Sequence, residues 1–401
     1  MASRWARRKV KFARSWEKLQ LNFFMRSKTK TEHFKIIADA EAALCNRTMH
    51  ESDEVCLKSQ DPLVRQGWAL KKEVELHFKE LHAGKTDERI LIHVPSPTYS
   101  PAGYSLFTNL AESLEFIGIP TRILDWEGDT CQALEEFNPT VLLSSDHESY
   151  LARIDWNAIA SYKADNRLRV GLTASLEEYV NTPLNCRLEW ARKHGIDFFY
   201  TFRDQSYVEE RAEYQPFFDA QYKMLYLPFG ANILHYYPVA GFARDIDYVI
   251  MATRKSEHAT FMKEITRHYD GFIDGPGWKH TQNFRFNRAR DRYIYARAKV
   301  GLNVHLPEQI EWACEVNERT YQLAACGVPQ LIDHPKLIEQ IFSRDALFIA
   351  DTPAQYTQLF HKIMCQPELA QQRALLAQRE AFTRHTTFHR ADSILRQLAE
   401  V

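Results

Sequence analysis

A regular alternation of short apolar runs with longer amphipathic stretches constrains the fold most strongly, and this alternation occurs twice along the chain. Each run is close to the length of a buried strand, roughly 4–8 residues. Strands that alternate with helices predict parallel sheets covered by helices on both faces. The first set of runs lies at 89–94, 120–126, 139–145, 169–175, 197–202 and 223–229. The second set lies at 245–253, 270–277, 298–305, 328–334 and 346–350.

The two sets are separated by a break at 228–241 that contains Pro and Gly. We therefore predict an α/β protein with two facing Rossmann-like domains and an N-terminal helical extension. Two such domains form a cleft at the carboxyl ends of their strands, where ligands of this architecture bind. The predicted segments are a basic helical extension (1–85), the two Rossmann-like domains (86–230 and 231–380), and a C-terminal helix that folds back on the first domain (381–401).

Several classes of protein are disfavoured by what the sequence lacks. No run of about 18 apolar residues is present, so no transmembrane helix is expected. The seven cysteines are scattered and form no Cys-x-x-Cys pair, which disfavours a zinc site and a disulfide framework and fits a reducing cytosol. No G-x-G-x-x-G motif supports a nicotinamide cofactor. We expect a cytoplasmic protein without a metal or a cofactor.

The N-terminal segment is strongly basic. Residues 1–35 contain eleven Lys and Arg but only two Glu, and residues 3–25 place Trp5, Trp16 and Phe23 on one helical face. This face has three interpretations: contact with an anionic membrane surface, packing on the protein's own core, or a cleaved transit peptide. We favour membrane contact through residues 1–30, at the inner face of the plasma membrane. The remainder of the chain is net acidic, so we expect no nucleic-acid partner.

Several short stretches occur in a fixed order in the second half. They are LPFGAN (227–232), GPGW (275–278), AKVGLNVH (298–305), VNERTYQLAACGVPQLID (316–333) and RHTTFHRADSIL (384–395). Together they resemble the GT-B glycosyltransferases, and most closely the CgeB-like branch of the family-1 group. The resemblance covers residues 225–400 well and residues 89–225 only as architecture. It implies a nucleotide-diphosphate sugar donor bound by the second half and an acceptor that enters from the first.

The helix that follows Val316 carries the donor residues that the resemblance implies. Asn317 and Arg319 match an Asn-x-Arg pair that opens the donor-site helix, and Thr320 lies in the same turn. A helix N-terminus attracts phosphate, and an Arg there adds a bidentate anion clamp. Gln322 stands where the family usually has a Glu that contacts the ribose or sugar. Gln can accept a hydrogen bond but carries no charge, which leaves an inactive homologue open. The resemblance also implies a Glu-x7-Glu pair in retaining enzymes, and Cys314 stands at its first position, so either stereochemistry stays open.

Other candidate donor residues follow strands of the second half. Arg254 and Lys255 follow the first of them and are expected to neutralise the diphosphate in place of a metal ion. Gly277 permits a close backbone approach, and Trp278 is either a base-stacking ring or a core aromatic. His305 ends its strand as either a donor contact or a hydrogen-bonded structural residue.

The first half offers candidates for the acceptor side. Ser100 and Gly103 lie in a loop after the first strand, where we expect backbone N–H groups to approach the donor or the acceptor. Asp146 or His147, at the end of another strand, is the predicted general base for the acceptor hydroxyl, although Asp at such a position is often a cap or turn residue.

The sequence therefore predicts a metal-independent transfer of a sugar from a nucleotide-diphosphate donor to a hydroxyl group. The expected acceptor is an envelope or lipid-linked glycan. The alternative is a non-catalytic glycan- or nucleotide-binding subunit of an envelope assembly with the same fold, and the substitution at Gln322 is the observation that favours it.

Overall fold

The structure is a computed structural model that describes residues 30–175, 180, 182–278 and 287–401. The helix predicted at 3–25, with its proposed membrane contact, lies outside these residues. The chain divides into two compact units. The first-sheet unit comprises residues 73–232 and 385–401, and the second-sheet unit comprises residues 30–72 and 233–384.

The first-sheet unit contains a six-stranded sheet in the order β2-β1-β3-β4-β5-β6, and every neighbouring pair is parallel. Its strands are β1 (Ile90–His93), β2 (Thr121–Leu124), β3 (Val141–Ser144), β4 (Arg169–Thr173), β5 (Phe198–Thr201) and β6 (Lys223–Tyr226). The helices between them are Pro101–Phe116, Thr130–Phe137, Glu148–Leu151, Trp156–Asp165, Leu184–Lys193, Gln205–Glu210 and Gln215–Asp219. Four of the strands are almost entirely buried, which explains their continuous apolar runs.

The second-sheet unit contains a five-stranded parallel sheet in the order β11-β10-β9-β7-β8. Its strands are β7 (Ile246–Met251), β8 (Gly271–Asp274), β9 (Ala298–Asn303), β10 (Gln330–Ile332) and β11 (Phe348–Ile349). The helices between and after them are Ser256–Met262, Ile265–His268, Arg288–Arg297, Pro307–Glu311, Glu318–Ala325, Ile338–Ile341, Pro353–Cys365 and Pro367–Arg384. The predicted α/β class with two parallel sheets is confirmed, and each observed strand lies within its predicted run.

Residues before the first sheet pack with the second sheet. The helix Lys30–Cys45 lies against Arg288–Arg297, and a turn at Arg47–Met49 and a short helix Asp53–Leu57 follow. Between them, the carboxylate of Glu51 accepts a hydrogen bond of 2.6 Å from Arg292, and both side chains are buried. The helix Pro62–His82 then leads into the first-sheet unit.

The last helix, Thr387–Leu398, belongs to the first-sheet unit, where it packs against Pro101–Phe116. The hydroxyl of Ser113 donates a hydrogen bond of 2.6 Å to the hydroxyl of Thr387 across this contact. Among the described helices, none is both long enough and apolar enough to span a membrane.

The helix Glu318–Ala325 ends at a glycine. The N–H of Gly327 donates to the carbonyl of Ala324 at 3.0 Å, and the N–H of Val328 donates to the carbonyl of Leu323 at 3.0 Å. These two bonds form a Schellman motif, which needs a left-handed residue, and Gly327 has φ +69°. The chain then reverses directly into β10, so the start of this helix lies at the same edge of the sheet as the ends of its strands.

Candidate functional site

Polar side chains of the second-sheet unit gather where three neighbouring strands end. Arg254 follows β7, His305 follows β9, and Asp333 follows β10. Arg319 joins them from the first turn of Glu318–Ala325. In open parallel sheets this edge is where ligands bind, so we take the four residues as the centre of the candidate site.

Arg319 is the most unusual residue of the site. Its side chain is partly exposed, yet its Nε and Nη1 atoms are buried and donate no hydrogen bond within the parts of the chain that the structure describes. Burial lowers the pKa of its guanidinium, and the nearby Tyr295, Tyr356 and Asp333 act in the opposite direction. Unsatisfied N–H groups on a buried cation are costly. They are therefore an observation that points to an anionic ligand.

Positive charge converges on His258, which lies in the first turn of Ser256–Met262. Burial, together with the charges of Arg319, Lys255 and Arg254, lowers the pKa of His258 to about 3. The ring is neutral at neutral pH, and its Nδ1 accepts the backbone N–H of Lys255 at 3.1 Å. Three cations that act on one buried ring create a positive potential, which favours an anion such as a diphosphate.

His305 and Asp333 form a buried pair. The carboxylate of Asp333 accepts the backbone N–H of His305 at 2.6 Å and its Nδ1–H at 2.5 Å. Because Nδ1 donates, Nε2 of the neutral ring is an acceptor. Nε2 is buried and has no partner among the described residues. The pair therefore holds one buried acceptor that no described residue uses.

Asn317 and Thr320 are engaged inside the protein. Asn317 is the N-cap of Glu318–Ala325 and accepts the N–H of Thr320 at 3.2 Å. Its Nδ2 donates to Asn303 at 2.8 Å, and Nδ2 of Asn303 donates to the hydroxyl of Thr320 at 2.7 Å. This closed network ties the helix to the end of β9 and, with it, positions Arg319. Thr320 is fully buried in this network, which corrects the expectation that its side chain contacts the donor, whereas a donor contact of Asn317 stays a prediction.

The GPGW stretch brings two parts of the protein's own backbone together. Gly275 has φ +129°, and a Cβ there would lie 2.2 Å from the carbonyl oxygen of Ala252. Gly277 has φ +86°, and its Cβ would meet Arg254 at 3.3 Å. Trp278 is buried, and its Nε1–H donates to the carbonyl of Ala252 at 2.8 Å. Trp278 is a core aromatic, so the alternative of a base-stacking ring is wrong. The two glycines allow the chain to pass close to residues 252–254.

The remaining predicted donor residues differ in their exposure. Lys255 is exposed as the N-cap of Ser256–Met262, and Arg254 lies half-buried with its guanidinium 5.6 Å from the ring centre of Trp278. Burial lowers the pKa of Arg254. Gln322 is half-buried, one turn after Glu318. Arg254 therefore lies at the carboxyl edge of the sheet, next to the more exposed Lys255.

Asp146 is fully occupied in the first-sheet unit. It forms a buried ion pair with Arg187 and accepts hydrogen bonds from the hydroxyls of Thr173 at 3.0 Å and Ser175 at 2.6 Å. The backbone N–H of Ser175 donates to its second oxygen at 3.1 Å. Both carboxylate oxygens are therefore engaged, by an Arg and by three further donors. The structure therefore corrects the assignment of Asp146 as a general base and makes it a structural residue.

His147 caps the short helix Glu148–Leu151. Its Nδ1 accepts the backbone N–H of Ser149 at 3.2 Å. The neutral ring then carries its proton on Nε2 and acts there as a donor. In this arrangement neither ring nitrogen has a free lone pair that could take the proton of a substrate hydroxyl. His147 can act as a base only after the capping hydrogen bond breaks.

Ser100 and Gly103 lie at the start of a helix and not in a loop. Ser100 is the N-cap of Pro101–Phe116, and its hydroxyl accepts the N–H of Gly103 at 3.2 Å. Ser at N-cap followed by Pro at the first helical position is a strong helix start. The helix therefore begins at Pro101, within the predicted loop. A Cβ at Gly103 would lie 2.8 Å from the hydroxyl of Tyr150, so the glycine admits this ring.

Sequence reasoning missed three polar residues of the second-sheet unit: Asn303, Asp333 and His258. Asn303 and Asp333 are the polar residues at the ends of two buried strands. That position was the signal that could have identified them. His258 has no comparable signal, since only its contacts distinguish it from other helical histidines.

Comparison with known proteins agrees with this architecture. A family model described as glycosyl transferase-like matches residues 254–396, which include Arg254, His305, Arg319 and Asp333. The structure of Anabaena Alr3699/HepE in complex with UDP-glucose is similar at a TM-score of 0.50 and 12% identity, over 78% of this chain and 100% of that chain. The DNA-modifying enzyme β-glucosyltransferase is similar at a TM-score of 0.50 and 10% identity, over 78% of this chain and 98% of that chain.

No protein with a curated description matches the sequence significantly. At the identities above, likeness to solved structures establishes the fold, which is that of the GT-B glycosyltransferases. Assignment to the CgeB-like branch stays a prediction.

Proposed function

We propose that this protein transfers a sugar from a nucleoside-diphosphate donor to a hydroxyl acceptor. The observation that carries the proposal is a pair of buried N–H groups on Arg319 that no described residue accepts, at the edge of a GT-B sheet where cations converge. A diphosphate would satisfy both N–H groups through charge-assisted hydrogen bonds. The glycosyl transferase-like match over residues 254–396 includes this site and supports the same reading.

The residues present suggest how the leaving group is stabilised. Departure of the sugar places negative charge on the diphosphate, and Arg319 and Arg254 would neutralise this charge, with Lys255 at the rim. Because these cations supply the neutralisation, we expect transfer without a metal ion. Nε2 of His305, which has no partner in the described part of the chain, would accept a hydrogen bond from a hydroxyl of the donor. We assign no general base, because Asp146 and His147 are both engaged.

Nucleotide binding and turnover test the proposal separately. Thermal-shift screening with UDP, GDP, ADP and CDP should reveal stabilisation by at least one nucleotide, because a ligand of the folded state raises its stability. Donor hydrolysis and transfer are then measured with sugar derivatives of that nucleotide, with and without EDTA. Absence of any nucleotide binding would refute the proposal, and loss of turnover in EDTA would refute its metal-independent form.

A second candidate is a nucleotide-binding GT-B subunit without turnover, which would act in an envelope assembly. It is supported by Gln322, the neutral residue at the position where the resemblance expects Glu. The two candidates diverge in the assay above. The second candidate is favoured if nucleotide binds but no sugar is released or transferred from any donor. This result should hold both for the unsubstituted protein and for Gln322→Glu.

We also propose that residues 1–30 hold the protein against an anionic membrane surface on the cytoplasmic side, near an envelope or lipid-linked glycan acceptor. The basic composition of residues 1–35 supports this location, because each Lys or Arg near such a surface adds roughly 1 kcal/mol of attraction. Sedimentation with phosphatidylserine liposomes, compared between the full chain and a variant lacking residues 1–30, tests it. Equal sedimentation of the two proteins would contradict the proposed contact.

A further inference from the structure

A groove in the first-sheet unit is separate from the residues discussed above for the donor. Its volume is about 410 Å³. It lies between β3, β4 and β5 and the helices Glu148–Leu151, Trp156–Asp165 and Leu184–Lys193. Its apolar lining consists of Leu151, Ala152, Trp156, Leu172, Trp190 and Phe199. A volume of this size lies within the range of small-molecule sites, roughly 300–1,000 Å³.

Two tryptophans form one wall of the groove. The rings of Trp156 and Trp190 are perpendicular, with their centres 4.7 Å apart, and both side chains are half-buried. Trp156 is held by a hydrogen bond of 2.8 Å from its Nε1–H to the carbonyl of Leu151. Trp190 is held by stacking on His194 at 4.2 Å. The wall is therefore rigid before a ligand arrives, which lowers the entropic cost of binding.

The polar side of the groove carries one cation, Arg187, and the carboxylates of Asp146 and Glu148. Arg187 and Asp146 both line it as a buried ion pair. Arg187 is 4% exposed, and its Nε–H has no partner among the described residues. Because Asp146 already neutralises the guanidinium, the pair offers a hydrogen-bond donor but little net attraction for an anion. An unsatisfied buried donor is costly, and a neutral oxygen of a ligand would satisfy it.

We infer that this groove binds a neutral saccharide ring. The C–H face of a pyranose fits against the electron-rich face of a tryptophan, and its ring or hydroxyl oxygen can accept the Nε–H of Arg187. The volume corresponds to roughly a dozen waters at about 30 Å³ each, enough for one hexose ring with some ordered water. A purely apolar ligand would leave the Arg187 donor unsatisfied. Resting on the proposed function, we assign the ring to the acceptor.

Cys186 provides a direct measurement, because it is exposed and lines the groove. The full-length protein is treated with iodoacetamide without nucleotide, in the presence of methyl glycosides of glucose, galactose, mannose or N-acetylglucosamine. Alkylation at each cysteine is followed by peptide mass spectrometry. We expect at least one glycoside to slow the alkylation of Cys186 twofold or more, while the exposed Cys365 reacts at an unchanged rate.

Two variants locate the bound sugar. Trp190→Ala should abolish the protection of Cys186 and the saturation-transfer NMR signal of the protecting glycoside, whereas Tyr162→Ala should preserve both. Tyr162 is a matched control because it is a half-buried aromatic residue of the same unit that does not line the groove. Protection by none of the four glycosides, or undiminished protection in Trp190→Ala, would overturn the inference.

The same variants separate this inference from the proposed function. With an active enzyme, Trp190→Ala should raise the KM for the acceptor at least tenfold and leave the affinity for the nucleotide unchanged. If the groove binds a glycoside but no donor is ever turned over, the saccharide site stands and the transferase proposal fails. If donor turnover occurs without glycoside binding in the groove, the transferase proposal stands and the saccharide site fails.

Discussion

Replacing Arg319 by Met should weaken nucleotide binding without weakening the fold, and a second buried arginine provides the matched comparison. Arg244 also lies in the second-sheet unit, and burial lowers the pKa of both guanidinium groups. Arg244 donates to the carbonyls of Ala298 at 2.6 Å and Gly327 at 2.9 Å. Arg319 leaves Nε and Nη1 without acceptors among the described residues. The two arginines thus differ in their partners and not in their chemistry.

The expected changes in the free energy of unfolding have opposite signs. Met fills nearly the volume of Arg without its charge. Replacing a poorly compensated buried ion by an apolar residue of similar size is often neutral or stabilising, so we expect Arg319→Met to lie between no change and a gain of about 2 kcal/mol. Arg244→Met leaves two buried carbonyls without donors, which should destabilise the protein by about 2–4 kcal/mol.

The expected changes in nucleotide affinity are reversed. A hydrogen bond from a charged group contributes about 1.5–3 kcal/mol, so losing two from Arg319 costs about 3–6 kcal/mol. At 1.4 kcal/mol for each factor of ten, the dissociation constant for the preferred nucleoside diphosphate should rise by about 10²–10⁴. Arg244 is bonded to backbone carbonyls, so Arg244→Met should change this constant less than threefold once the protein is folded.

Urea denaturation and isothermal titration calorimetry measure the two quantities on the same preparations. If Arg319→Met destabilises the protein as much as Arg244→Met does, its guanidinium is partnered in the folded chain and the reasoning is wrong. An unchanged nucleotide affinity in Arg319→Met would show that this residue does not hold the diphosphate.

Three further predictions concern the elements that support the site. Asn317→Ala removes an N-cap and should lower stability by about 1–2 kcal/mol in denaturant titrations, with recovery in Asn317→Asp, which retains the capping oxygen. Gly275→Ala places a Cβ 2.2 Å from a backbone oxygen at φ +129° and should lower stability by at least about 1–3 kcal/mol in the same assay. The loss should exceed that of the control Gly84→Ala, whose Cβ meets nothing within 4 Å. Burial raises the pKa of Asp291 to about 6. The folded protein is therefore most stable with respect to this group below about pH 3.8, and that stability is lost as the pH rises through 6. Asp291→Asn should therefore gain stability relative to the unsubstituted protein across this interval, and a constant difference in unfolding free energy would refute the assignment.

The strands were predictable because their signal is local. A buried parallel strand must be apolar along its whole length, and a turn or helix must follow it. The end of the helix at Gly327 was predictable for the same reason, since a left-handed residue favours Gly wherever the helix lies. The early start of Pro101–Phe116 was missed because Ser100 and Pro101 were read as loop residues and not as a cap and a first turn.

The roles of the polar residues were less predictable. Asn317 and Arg319 stand two positions apart, yet Asn317 is bonded to Asn303, while Arg319 has donors that no residue described by the structure accepts. Asp146 reads as an available carboxylate until Arg187, 41 positions later, is placed beside it. Such pairing depends on contacts between segments far apart in the chain, which no local pattern encodes.

The sequence by itself determined two parallel α/β sheets, the strands that build them, and the short segments from which a donor site would be assembled. Apolar periodicity and turn chemistry act over a few residues, so they can be recognised without the fold. Only the tertiary structure decided which polar groups are already satisfied and which still lack a partner. That distinction depends on the completed packing, because a buried donor or acceptor is satisfied only by a group that packing brings within about 3 Å of it.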